Sequence, residues 1–204
     1  RQRKLGETPE KSQPRKLLNY RIMGFCTTSN VIMSTFHCGQ FGFSLLDLHQ
    51  IERLQNIHLR RGYEVQKKQI SDKTGRNSAG EKLLYHGTTQ DNCDSIMKTG
   101  FNRSFAGQNA TAYGDGTYFA VDASYSANTV YSKPAADGSQ MMFVARVLTG
   151  LYTVGKYGMK APPAFNSQQP HDRYDSVVDN TQKPSMYVAF HDHQAYPDYL
   201  ITFK

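Results

Sequence analysis

Two stretches hold side chains that could do chemistry together. One is LLYHGTT, around His86 and Gly87; the other is YGDGTYFAVDASYSANTVYS, which carries Tyr118, Tyr125 and Tyr131 with Ser124 and Ser126 among them. A histidine followed at once by glycine at a strand end puts an imidazole beside backbone that a ligand can approach closely. Flat rings and hydroxyls in one neighbourhood suit a flat, polar aromatic ligand. The same tyrosines would serve equally well as half-buried residues of a strand and a helix. Near the end of the chain, PSMYVAF leaves Met186 with two readings: a pliable core filler in a buried strand, or a member of a reaction centre.

Other familiar sites are missing. There is no Gly-x-x-x-x-Gly-Lys-Ser/Thr phosphate loop, and GDGTYF enters a strand rather than a helix, so it is no dinucleotide fingerprint. No Gly-x-Ser-x-Gly elbow occurs. His191 and His193 in HDHQ have no further ligands announced nearby and are expected as exposed loop histidines, so no metal is expected. The three cysteines, Cys26, Cys38 and Cys93, are odd in number and irregular in spacing, which favours unpaired thiols in a reducing compartment.

The elements that must position these residues follow from composition and pattern. The chain has 204 residues, 38% of them hydrophobic, enough for one compact domain. Its formal charge of +7 is unevenly spread, with 14 Lys+Arg against 6 Asp+Glu in residues 1–80 and 10 against 11 in residues 81–204. The excess therefore lies in the first part, where RQRKLGETPEKSQPRK reads as a solvated basic linker capable of weak, salt-sensitive contact with nucleic acid. No apolar run is long enough to cross a bilayer, and MMFVARVL is interrupted by Arg146, so no membrane partner is expected. The start at Arg1, without the order of a signal peptide, suggests a piece of a longer protein.

The segment NYRIMGFCTTSNVIMSTFHCGQFGFSLLD follows no clear period. LHQIERLQN reads as a strand or the first turns of a helix, IHLRRGYEVQKKQI as an amphipathic helix, and SDKTGRNSAG as a polar loop. Strands are predicted at KLLYHG, GTYFAV, MMFVARVLTG, LYTVG, YDSVV, SMYVAF and YLITF. Short helices are predicted at NCDSIMKTG, capped by Gly100, and at ASYSANTVYS, ending before Pro134. KYGMKAPPAFNSQQPHDR reads as a long surface loop. The expected class is α+β, with residues 1–46 as basic linker and atypical N-terminal segment and residues 47–204 as the functional domain.

Taken together, IERLQN, HGT, GFNRSFAG, YGDGTYFA, VLTG, DSV and AYPDYLITF resemble the catalytic domain of the diphtheria-toxin-like, poly(ADP-ribose) polymerase-type ADP-ribosyltransferases. The likeness is greatest to the macrodomain-linked branch that transfers single ADP-ribose units, and it runs from Leu48 to Lys204. It implies the ADP-ribosyltransferase fold, mostly antiparallel split β-sheets with a few flanking helices, and NAD as co-substrate. His86 would hold the adenosine-side ribose hydroxyls, and the Gly87 backbone and Ser126 hydroxyl would hold the nicotinamide carboxamide. Tyr118 and Tyr131 would sandwich the nicotinamide ring. Thr88 would lie near the adenine ribose, Arg103 would be a looser candidate for the pyrophosphate, and the loop from Ser104 to Gly114 would cover the cofactor.

Breaking the nicotinamide–ribose bond develops an oxocarbenium-like sugar, so such a site works mainly by positioning and charge stabilisation. In polymerising relatives the place of Met186 holds a Glu that helps activate a hydroxyl acceptor. Losing a general base costs about 10²- to 10⁴-fold on such an acceptor, whereas an Asp or Glu acceptor is already anionic. The resemblance thus implies transfer of one unit to protein substrates, automodification included, with His86, Tyr118 and Met186 at the reacting end. An intracellular setting, nucleus or cytoplasm, goes with it. Two departures stand out: Asp115 where relatives often have Lys, and Arg60 where the branch commonly has a tryptophan. The alternative from another class is a silent pseudo-transferase acting as an interaction or RNA-associated module. Retention of His86, Tyr118, Ser126 and Tyr131 favours the enzyme.

Overall fold

The computed structural model describes residues 20–25, 47–75, 79–103, 111–166 and 168–204. The basic tail, Cys26, Cys38 and residues 104–110 of the predicted covering loop lie outside them. Among the described residues nine strands form one sheet: β1 (Tyr20–Phe25), β2 (Leu48–Asn56), β3 (Glu81–Thr88), β4 (Thr117–Ala120), β5 (Gln140–Leu148), β6 (Tyr152–Val154), β7 (Ser176–Val178), β8 (Met186–Ala189) and β9 (Ala195–Phe203). The described residues also form the α-helices α1 (Ile57–Thr74), α2 (Gln90–Thr99) and α3 (Ala123–Ala127).

The strand order is β1-β2-β9-β5-β3-β4-β8-β7-β6, and every neighbouring pair is antiparallel except β6 with β7. The two halves of the sheet are joined at β3–β4 by one residue pair, Tyr85 with Ala120. The sheet is thus nearly split, as the class expected for this chain requires, and the strands part immediately beyond that pair.

Alternation along β3 sends Leu84 and His86 to one face and Tyr85 to the other. Leu84 joins Cys93, Ile96 and Met97 of α2 with Phe101, Phe119 and Phe143 in the largest core cluster. Full burial of a side chain such as Phe143 contributes about 1.5–3 kcal/mol. On the opposite face Tyr85 packs with Ala123, Met142, Val144 and Ile201. Helix α1 packs Tyr63 and Ile70 on Leu148 and Tyr196.

Several elements differ from the sequence reading. LHQIERLQN is a strand, and Asn56 then caps α1 by accepting from the His58 and Leu59 N–H groups. Helix α1 runs through Ser71–Thr74 into the predicted loop, because Gly75, with φ 60°, supplies the left-handed cap and Lys73 ties the last turn to Asp175 at 2.7 Å. Helix α3 stops at Ala127 rather than reaching Ser132. Asn128 turns extended, with ψ 134°, and its carbonyl accepts from both Tyr131 and Ser132 N–H groups. Strand β9 begins at Ala195, four residues before YLITF; Pro197 is accommodated opposite Ala145, where the β5 register shifts. Within the unpatterned N-terminal segment, β1 adds an edge strand along β2. In place of a tryptophan, Arg60 lies 5.7 Å from the Tyr63 ring centre and 5.4 Å from that of Tyr196, with an ion pair to Glu64.

Candidate active site

Where β3 and β4 part, a side chain takes over from the ladder. His86 Nδ1 donates to the Tyr118 carbonyl at 2.8 Å, and because a carbonyl can only accept, the proton is on Nδ1. Burial pushes the imidazole pKa below its ordinary value, opposed by that hydrogen bond. The ring is therefore neutral near pH 7, and Nε2 is left as an acceptor. Phe101 packs edge-on at 5.2 Å and Phe119 tilted at 5.6 Å, so the imidazole plane is fixed from two sides.

A cavity of about 240 Å³ opens here. His86, Gly87, Thr88, Tyr118, Ser126, Tyr131 and Met186 all line it, so seven of the eight candidate residues come together. Arg103 does not line it: its exposed guanidinium donates to the Lys160 carbonyl at 3.4 Å. Asp115 also lies off the lining, half-buried, its N–H donating to the Met159 carbonyl.

Gly87 is required by close approach. A Cβ there would fall 2.2 Å from the Ser126 carbonyl oxygen and 3.0 Å from Tyr131 Cβ. The absence of a side chain lets α3 and the following turn press onto β3, bringing buried Ser126 and half-buried Tyr131 to the same place. Tyr118 is held at its far end, donating from its hydroxyl to the Gly114 carbonyl at 2.9 Å and accepting from the Tyr113 N–H at 2.9 Å. Burial raises its phenol pKa, and the charge of Asp115 adds to the rise against the bond from Tyr113. Tyr131 stacks on Tyr125 with ring centres 5.0 Å apart.

The opposite wall is different. Met186, 8% exposed, starts β8 and pairs with Ala120, next to the single join between the sheet halves. Its N–H donates to Asp179 Oδ1 at 3.2 Å, as does that of Ser185 at 2.9 Å, and Ser185 Oγ donates to Asp179 Oδ2 at 2.5 Å. No Asp or Glu is among the described residues lining the cavity.

Sequence reasoning missed several lining residues. Asn92, Ser95 and Asn102 add amide and hydroxyl groups from α2 and the turn after it, Phe101 and Phe119 orient His86, and Lys133 stands on the rim. For Phe101 and Asn102 the available signal was their place in GFNRSFAG, and for Phe119 its place in YGDGTYFA; nothing local marked Asn92, Ser95 or Lys133. Among the described residues no group of three or more His, Cys, Asp or Glu is placed to hold a metal ion, and His191 instead closes a capping box with Gln194.

A nearly split antiparallel sheet, with a neutral His–Gly pair, a buried serine and two tyrosine rings at the split, defines the class as an ADP-ribosyltransferase catalytic fold. Residues 33–204 match the family model described as the poly(ADP-ribose) polymerase catalytic domain, and the chain belongs to that family. Similar proteins include Protein mono-ADP-ribosyltransferase PARP14 of Homo sapiens, 48% identical over 177 residues, which are 86% of this chain and 10% of that protein. PARP10 of Mus musculus, also named a protein mono-ADP-ribosyltransferase, is 44% identical over 76% of this chain and 16% of its own length. The similarly named mouse PARP12 is 40% identical over 77% of this chain and 22% of its own length. The chain thus spans roughly a tenth to a fifth of the length of these three relatives.

Proposed function

We propose that this chain is an NAD-dependent protein mono-ADP-ribosyltransferase domain, with residues 47–204 as its catalytic unit. The observation that carries the reading is one cavity combining a neutral His86, a bare Gly87 backbone and two tyrosine rings with no acid among its described lining residues. NAD, the co-substrate of this family, supplies the ADP-ribosyl group and nicotinamide as its leaving group. The residues present fit that molecule: aromatic faces for a flat ring, a hydroxyl and free backbone for a carboxamide, and an acceptor nitrogen for ribose hydroxyls.

In this reading His86 accepts from the adenosine-side ribose through Nε2, and Thr88 lies beside it. Gly87 backbone and Ser126 Oγ grip the carboxamide, while Tyr118 and Tyr131 confine the ring. These contacts fix the bond to be broken, so the chain acts chiefly by positioning. Met186 cannot take a proton from a hydroxyl, which disfavours an ADP-ribose hydroxyl as the next acceptor. An Asp or Glu side chain of a protein needs no such help and is the acceptor class this wall suits. Incubation with labelled NAD and resolution on a denaturing gel should give one sharp modified band; a ladder of long polymers would overturn the assignment.

A further inference from the structure

We infer that Tyr125 is a positioning residue for Tyr131: it covers one face of the Tyr131 ring and sets that ring's orientation before any ligand enters. The proposal rests on reading the cavity as the NAD site. The two rings stack at 5.0 Å between centres and 21° between planes, and their hydroxyls are 2.8 Å apart. Stacking and a hydroxyl pair together fix tilt as well as position.

Each ring is anchored separately. Tyr125 lies on α3, whose start is capped by Asp122 accepting from the Ser124 N–H at 2.9 Å. Tyr131 lies on the next turn, where its N–H donates to the Asn128 carbonyl at 2.9 Å and its Cβ is packed against Gly87. The pair therefore links α3 to the turn across the cavity rim, and both rings line the cavity. Tyr125 is 43% exposed, so trimming its ring removes little of the core. What it adds is pre-organisation, which spares a ligand the cost of ordering Tyr131.

The test compares Tyr125→Phe, which keeps the stack and loses the hydroxyl pair, with Tyr125→Ala, which loses both. A benzamide-type nicotinamide mimic is titrated by calorimetry, melting temperatures are measured, and KM and kcat for NAD are determined. Stack and hydroxyl pair are each worth roughly a 2- to 10-fold factor. The expected result is mimic affinity down about 2- to 5-fold in Tyr125→Phe and about 5- to 20-fold in Tyr125→Ala, with KM rising in step and kcat changing less than about threefold. Unchanged affinity in Tyr125→Ala, or a fall in kcat at constant KM, would overturn the proposal. Should Tyr125→Ala fail to fold, unchanged affinity in Tyr125→Phe overturns it alone. Failure of the unaltered protein to bind the mimic would overturn the NAD-site reading and this inference with it.

Discussion

The two walls of the cavity are built on different physical terms. On the β3 side His86, Gly87, Ser126 and Tyr131 are held by a directed hydrogen bond, close backbone approach and aromatic packing. On the β8 side Met186 presents an apolar, adaptable side chain, and the polar work is done behind it by Asp179, which ties down the backbone. One wall is specified atom by atom and the other mainly by volume. The difference teaches where substitutions should be costly: precise geometry tolerates little change, whereas a space-filling wall tolerates much.

The sharpest way to break the comparison is at His86. His86→Ala should reduce labelling from NAD by at least about 100-fold, since the bond to Tyr118 disappears together with the ligand contact proposed for this residue; labelling within tenfold of the unaltered protein would refute its assigned role. Gly87→Ala comes next. A Cβ 2.2 Å from the Ser126 carbonyl forces α3 away, at about 1–3 kcal/mol for overpacking. Calorimetry should read a loss of nicotinamide-mimic affinity of at least about 30-fold, and a drop below threefold would mean the close approach is not needed.

The β8 wall should respond less. Asp179 feels burial, which raises its pKa, but hydrogen bonds from the Ser185 hydroxyl and the Ser185 and Met186 N–H groups outweigh it and hold the carboxyl below its ordinary 3.8. A carboxyl lowered by folding stabilises the protein above its unfolded pKa and loses that contribution as pH falls through the folded value. Asp179→Ala should therefore cost about 1 kcal/mol at pH 7, and the gap in melting temperature should narrow below about pH 3.8. A gap that persists in acid would show that the ionised carboxylate is not its source. Met186→Leu should be mildest, with labelling within about twofold because volume and polarity are kept. A tenfold loss would show that the wall is as exacting as its partner.

The His86 imidazole offers one more check on the β3 side. A histidine whose pKa falls on burial leaves the unfolded chain binding more protons below about pH 6.5, so stability is lost as pH drops through that window. In His86→Gln the melting temperature should fall less steeply between pH 6.5 and 5.

Much of this was legible in the chain. His86 beside Gly87, the tyrosine-rich run and the strand around Met186 carry their periodicity and chemistry in local order, and the resemblance that these motifs carry supplied the names of the seven residues that line the cavity. The extension of α1 was not, because Ser71 and Asp72 look like loop residues until Lys73 meets Asp175, 102 residues away. Nor was the early end of α3, which depends on Asn128 carbonyl bonds to the next turn. Arg103 stood in a promising motif, yet its guanidinium donates to the Lys160 carbonyl, 57 residues away, a partner no local pattern announces.

The α+β class and the residue types available for a site could be read from the chain alone, because they depend on side-chain chemistry and short-range periodicity, while the reading of Met186 as a missing acid came from the family resemblance. Folding was needed to show that Tyr85 and Ala120 are the one pair joining β3 to β4 among the described residues, that His86 carries its proton on Nδ1, and that Tyr125 rather than empty space lies on Tyr131. Each of those depends on the distance between groups brought together by folding, and distance is what hydrogen bonds, burial and ring stacking read.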